Sequence, residues 1–169
     1  ADVWPNEPTQ WVDSDSDGYG DNSAGVFADD CPSVLGTSSS DRYGCPDTDG
    51  DTYSNPDIVF TIDDGADIAP SDPLRWSDSD GDSFADQIDD DCPTFYGNST
   101  TDRIGCPDTD GDGVSDADPN WTPTDNNSDA FKTDPTQWYD GDGDGFGDNA
   151  SGDLADDCPL TSGTSWQND

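Results

Sequence analysis

No stretch of this chain places apolar residues at helical spacing over three turns, and eighteen Gly and thirteen Pro interrupt it throughout. That pattern predicts turns and loops, with one or two short strands or single helical turns such as the one around residues 57 to 62. The expected fold class is irregular, with little regular secondary structure and no large continuous core. Order resides in the polar positions. Asp recurs on a fixed register in five runs that begin at Asp13, Asp47, Asp78, Asp108 and Asp140, and each run carries oxygen-bearing side chains at its positions one, three, five and nine.

The runs belong to a longer repeat, and a repeat has to be recognised before any fold is proposed. Residues 1 to 11 (ADVWPNEPTQW) align with 66 to 76 (ADIAPSDPLRW) and 128 to 138 (SDAFKTDPTQW). Behind each Trp follow an Asp run and a DDCP tetrapeptide, begun by Asp29, Asp90 and Asp156; the first two units add GCPDTDGD and a second Asp run. The chain therefore reads as repeat units 1–65, 66–127 and 128–169, the third incomplete. With no Met and no signal peptide, the sequence reads as a segment of a longer repetitive protein.

Composition sharpens the problem. Apolar residues make up 28% of the chain, mean hydropathy is −0.95, and the formal charge is −37. Such a chain buries too little apolar surface to offset a chain entropy of roughly 1 to 2 kcal/mol per residue, so something besides a core must hold it together. Two features favour folding over disorder. Aromatic residues reach 10% and recur at matched places, Trp11, Trp76 and Trp138 and then Tyr19, Phe84 and Phe146, while Glu7 is the single Glu among forty-one acidic residues. With only four Lys and Arg, nucleic acid and anionic lipid are excluded as partners. No apolar run approaches the ~18 residues of a membrane span.

Hard-cation ligation is the role left for most of the charge. An EF-hand loop takes oxygens from positions 1, 3, 5, 7 (a backbone carbonyl) and 9, with Gly at 6 and Glu at 12. In the first run Asp13, Asp15, Asp17 and Asp21 fit positions 1, 3, 5 and 9, Gly18 fits 6, and Tyr19 offers its carbonyl; the Glu at 12 and the flanking helices are missing. The other expected ligand sets are Asp47, Asp49, Asp51, Tyr53 and Asn55; Asp78, Asp80, Asp82, Phe84 and Asp86; Asp108, Asp110, Asp112, Val114 and Asp116; and Asp140, Asp142, Asp144, Phe146 and Asp148. Asp57 and Asp118 join the candidates behind the second and fourth runs. Asp2 with Glu7, Asp67 with Asp72, and Asp129 with Asp134 are expected to bridge between loops.

The pattern DxDxDGxxD followed by DDCP, together with CPDTDGDGVSD from Cys106 to Asp116, resembles thrombospondin type 3 repeats, and the resemblance spans all five runs. It implies a chain wrapped around a string of calcium ions, stapled by disulfides into an elongated array. It also implies that Asp29, Asp90 and Asp156 close the preceding loops, with Asp89 the alternative in the middle unit. The sequence departs from the family at this point. Asp29 and Asp156 stand well beyond Asp21 and Asp148 at position nine, while Asp90 follows Asp86 more closely, and the family's interval is shorter than any of these.

About ten calcium ions are expected. At about 1 mM calcium, sites with dissociation constants on the order of 0.1 to 1 mM contribute roughly 0.4 to 1.4 kcal/mol each. Paired cysteines at equal spacing, with no His for zinc, argue for disulfides Cys31–Cys45 and Cys92–Cys106, with pairing between units as the alternative and a partner for Cys158 outside this segment. Sequons stand at Asn98, Asn120, Asn126 and Asn149. Without His or a nucleophile–base set, catalysis is not expected. The expected function is an extracellular or cell-surface calcium-binding rod, stalk or filament whose partners are neighbouring repeats or subunits of the same protein. The alternatives are a calcium-dependent adhesion module holding glycans or a partner protein, and a calcium-storing or mineral-nucleating polyanion.

Overall fold

A computed structural model of the chain describes residues 3–123 and 128–164. The expected bridging residue Asp2 and the sequon Asn126 lie outside them. Among the described residues the only helix is one 3-10 turn, Ile62–Asp64, which starts at the last residue of the stretch where a helical turn was expected. The Asp64 carboxylate accepts from the N–H and hydroxyl of Thr61 at 3.0 and 2.8 Å. Gly65, at φ 102°, ends the turn in the left-handed conformation that a residue without Cβ adopts at little cost. Extended structure among the described residues is limited to isolated bridges, Gly20 with Ala28 and Gly147 with Ala155 among them. No described helix is long and apolar enough to cross a membrane.

The chain divides into two compact units, Ala1–Asp78 with Ala85–Ile88, and Ser79–Phe84 with Asp89–Asp169. The first contains the runs from Asp13 and Asp47 and the disulfide Cys31–Cys45, with Cα atoms 5.1 Å apart. The second contains the runs from Asp108 and Asp140 and the disulfide Cys92–Cys106, Cα atoms 5.0 Å apart. Both bridges therefore close within a sequence unit. Cys158 is a free, exposed thiol.

The interior is polar. Among the described residues the buried apolar ones are Cys45, Ala66, Ala85, Cys106 and Val114, while Gln10, Gln137, five serines and several Asp fill the rest. Many of them have a bonding reason to be inside, as a buried polar group requires. The hydroxyls of Ser38 and Ser99 accept from the N–H groups of Cys45 and Cys106, both at 3.0 Å. Asp30 exchanges two bonds with Tyr43, giving its N–H to the Tyr43 carbonyl at 2.9 Å and accepting the Tyr43 N–H on its carboxylate at 3.0 Å. Asp91 does the same with Ile104, at 2.8 and 2.9 Å. The second Asp of a DDCP tetrapeptide thus clamps the hairpin that its Cys staples.

Large apolar side chains lie mostly outside, Ile58 fully so at 99% exposure. Among the repeated tryptophans, Trp76 stacks on Tyr53 with ring centroids 5.9 Å apart, Trp138 meets Tyr139 edge-on at 6.5 Å, and Trp11 keeps half its surface in solvent.

Candidate metal centres

All five Asp runs fold on one frame. The N–H of position nine donates to the carbonyl just before position one: Asp21 to Val12, Asn55 to Pro46, Asp86 to Ser77, Asp116 to Pro107 and Asp148 to Tyr139, at 2.7 to 2.9 Å. Within the ring so closed, the first Asp turns the backbone around itself. Its Oδ1 accepts from the residue three on (Ser16, Gly50, Gly111, Gly143) at 2.6 to 2.8 Å, and its Oδ2 from the residue five on (Gly18, Thr52, Gly113, Gly145) at 2.9 to 3.1 Å. The fifth-position Asp accepts the N–H of position seven, the residue whose carbonyl was the expected ligand, in all five runs: Tyr19, Tyr53, Phe84, Val114 and Phe146.

This wrap needs left-handed backbone twice per loop. Positions four and six both have positive φ in every run, and only seven of those ten places are Gly; Ser16, Thr52 and Ser83 sit at φ 71°, 83° and 81°. A left-handed non-Gly residue costs roughly 1 to 2 kcal/mol, so the surroundings must impose it. What the strain achieves is convergence. A carboxylate oxygen from each of positions one, three and five lies within 4.8 Å of the other two in all five runs.

A further carboxylate docks on four of the loops from outside the run. Asp29, Asp67, Asp129 and Asp156 donate their N–H to the carbonyl of position eight of a run, Gly20, Ser54, Ser115 and Gly147, at 2.8 to 3.0 Å. Each then accepts on Oδ1 the N–H two residues on, at Cys31, Ala69, Phe131 and Cys158, at 2.6 to 2.8 Å. Asp90 holds the Cys92 N–H in the same way at 2.7 Å. These bonds fix the carboxylate plane and leave Oδ2 for the loop. In Asp29, Asp67, Asp129 and Asp156 that oxygen is buried without a hydrogen-bond partner, and the residues are only 4, 0, 2 and 5% exposed. The Oδ2 atoms of Asp15, Asp49, Asp51, Asp110, Asp112 and Asp142 are buried and unpartnered as well.

Electrostatics records the crowding. Burial pushes the Asp29 and Asp67 carboxyls up to about 6 and Asp129 up to about 7; Asp17 and Asp15 add to the first, Asp51 and Asp49 to the second, Asp112 and Asp110 to the third. Burial also raises Asp51, Asp110 and Asp112, and Asp142 is raised by burial and by Asp144 and Asp156. An ionised buried carboxylate with no partner costs several kcal/mol. Clustered carboxylate oxygens with no proton donor in reach fit a hard cation that takes six to eight oxygens. Zinc is a poorer match, since no described site offers His or thiolate.

Other expected ligands also make contacts within the protein. The ninth position braces its own loop: Asp21 accepts the N–H and hydroxyl of Ser14 at 3.0 and 2.5 Å, Asp116 those of Thr109 at 3.1 and 2.7 Å, and Asn55 and Asp148 the N–H groups of Thr48 and Gly141. Asp86 accepts the Ser77 hydroxyl. Lys132 reaches Asp116 at 2.7 Å. Asp57 and Asp118 lie on Arg42 and Arg103, at 2.6 and 2.7 Å, rather than in a triplet. The Arg42 guanidinium holds Asp57 down at about 2. Glu7 and Asp134 cap Thr9 and Thr136, and Asp72 faces Arg75 at 3.3 Å.

Several participants are not singled out by the Asp register. Gln10 and Gln137 are buried plugs: each takes the N–H of Asn22 or Asn149 on Oε1 and gives two bonds to the carbonyls of the excursion that leads to the closing Asp. In the middle unit Gln87 reaches back to the N–H of Trp76 at 3.0 Å instead. The path from Asp86 to Asp90 can therefore be short, while those from Asp21 to Asp29 and from Asp148 to Asp156 are long enough to wind on a Gln. Arg42 and Arg103 are clamps, each binding a Ser hydroxyl (Ser54, Ser115), a carbonyl (Asn55, Asp116) and a carboxylate while lying over Phe60 or Trp121.

Among the sequons, Asn98 and Asn120 are exposed. Asn149 spends its amide inside the fold, donating to the Thr136 carbonyl at 2.8 Å and accepting from Ser151 at 3.1 Å. No family model matches the chain, and no curated protein matches it.

Proposed function

We propose that this chain is an extracellular calcium-binding structural protein, in which each Asp run and its closing Asp wrap one or more ions and the ions hold the array of units rigid as a rod, stalk or filament. The carrying observation is the set of closing carboxylates, Asp29, Asp67, Asp129 and Asp156, each buried, oriented by two backbone bonds and left with an unpartnered oxygen among like charges. A cation turns that cost into the stabilisation that a polar interior lacks. Calcium suits crowded, flexible carboxylate loops, whereas magnesium keeps its waters. Two disulfides suit an oxidising compartment. The resemblance to thrombospondin type 3 repeats points to the same role. The test is a calcium count by isothermal titration on stripped protein. At least one ion per described loop is expected, and absence of binding at millimolar calcium would end this reading.

A further inference from the structure

We propose that the cation sites fall into two affinity classes, the tighter in the loops begun by Asp47 and Asp108, because those loops hold one more uncommitted carboxylate oxygen than the loops begun by Asp13 and Asp140. The proposal rests on the cation-binding reading above and assigns an order of filling within it.

The difference lies at position five. Asp17 and Asp144 each have Oδ2 taken by a backbone N–H, from Gly36 at 3.2 Å and from Gly163 at 2.7 Å. Asp82 accepts Gly97 in the same way at 3.1 Å, which puts the third run in this capped class. The Gly stands five residues after a Cys each time. Asp51 and Asp112 have no such cap, and their Oδ2 atoms are buried and unpartnered. The uncapped loops therefore present three free oxygens each, from positions three and five and the closing Asp, against two in the capped loops from Asp13 and Asp140.

An oxygen that already accepts an N–H has part of its lone-pair capacity and charge committed, so it gives less to a cation. Ligand charge and site rigidity are what tune calcium affinity across orders of magnitude. Rigidity acts in the same direction. The uncapped loops are those whose exits Arg42 and Arg103 clamp through Ser54 and Asn55, or Ser115 and Asp116.

The test is a calcium titration of the stripped, nitrogen-15-labelled full chain, followed at the position-six amides, Gly18 and Gly145 for the capped loops and Thr52 and Gly113 for the uncapped. Thr52 and Gly113 should reach half-saturation at roughly tenfold lower calcium. Simultaneous or reversed filling overturns the two classes while leaving cation binding intact; no response at any loop overturns the cation reading itself. Asp51→Asn and Asp17→Asn sharpen the result. The first should weaken its own loop several-fold more than the second weakens its loop, with Gly113 and Gly145 reporting that the rest of the chain still binds. Equal losses contradict the proposal, and the unsubstituted titration decides it whether or not either variant folds.

Discussion

The loops begun by Asp13 and Asp140 and those begun by Asp47 and Asp108 share one wrapping frame and a closing carboxylate, yet they reach that carboxylate by different routes. In the first pair the chain returns early, at Asp29 and Asp156, along an excursion wound on a buried Gln. In the second it returns later, at Asp67 and Asp129, along a path pinned by an Arg. The same three constraints meet it in both cases: a bond to the carbonyl of position eight, a bond to the N–H two residues on, and an Oδ2 left for the loop. The closing carboxylate is placed in space by a backbone carbonyl, and the chain length spent to reach it is free to vary.

Cutting a disulfide should have the largest effect. Replacing Cys31 and Cys45 by Ala should cost about 3 kcal/mol in urea unfolding at saturating calcium, and it should loosen the loop at Asp13, whose Gly36 cap the hairpin carries. The loop at Asp140 keeps a Gly163 cap without any bridge, so its amide shifts should not move; a matching loss there would contradict local stapling. Next comes the clamp. Arg42→Ala removes charge-assisted bonds to Ser54, Asn55 and Asp57 and should cost about 2 to 3 kcal/mol, with calcium affinity falling at Thr52 and not at Gly18. Arg42→Lys should recover little, since one ammonium cannot reproduce the fork.

Gln10→Ala is the reciprocal change. It strands the Asn22 N–H and the carbonyls of Asn22 and Val26, costs about 2 kcal/mol, and should weaken the loop at Asp13 while sparing the loop at Asp47. If both loops lose equally, the two routes are not independent. Thr52→Gly works in the opposite direction: relieving a left-handed β-branched residue should stabilise the chain by about 1 kcal/mol, and Ser16→Gly by somewhat less, as thermal unfolding in calcium can measure.

Acid has an effect of its own. Asp67 and Asp129 have folded-state values of about 6 and about 7 without a cation, above the roughly 3.9 of an unfolded Asp. The folded form therefore holds their protons more tightly. In calcium-free solution this contribution is fully present below about pH 4 and is lost as pH rises through about 6 to 7. Calcium-free protein should thus retain more structure at pH 5 than at pH 8, by circular dichroism, and saturating calcium should remove the difference.

Much of the site is legible in the sequence because its register is local. Positions one, three and five converge through bonds between near neighbours in the chain, so spacing alone locates Asp13, Asp15 and Asp17 and their counterparts. The disulfides are legible for the same reason. The ninth-position residues are not, since whether such a side chain turns inward or braces the start of its own loop is decided by a single rotamer. Asp67 and Asp129 look like bridges between loops, because no spacing rule links them to the distant upstream runs at Asp47 and Asp108; only the repeat alignment, which sets both at the head of a unit, carries a trace of their role. Asp57 and Asp118 are drawn away by Arg42 and Arg103, two of only four basic residues in the chain, whose rarity is itself a signal. The missing core is fully legible, and the Ser, Gln and Asp that replace it are not, because a buried polar side chain depends on partners that sequence does not display.

In the proposed reading, cations held by carboxylates that would otherwise be buried and unpartnered fold this chain. Near-UV circular dichroism of the intact, oxidised protein in millimolar calcium, repeated after chelation, tests it most directly through Trp76, stacked on Tyr53, and Trp138, edge-on to Tyr139. The aromatic signal should collapse on chelation and return when calcium is restored, whereas an unchanged spectrum in the chelator would mean that the disulfides and the polar interior suffice without any ion.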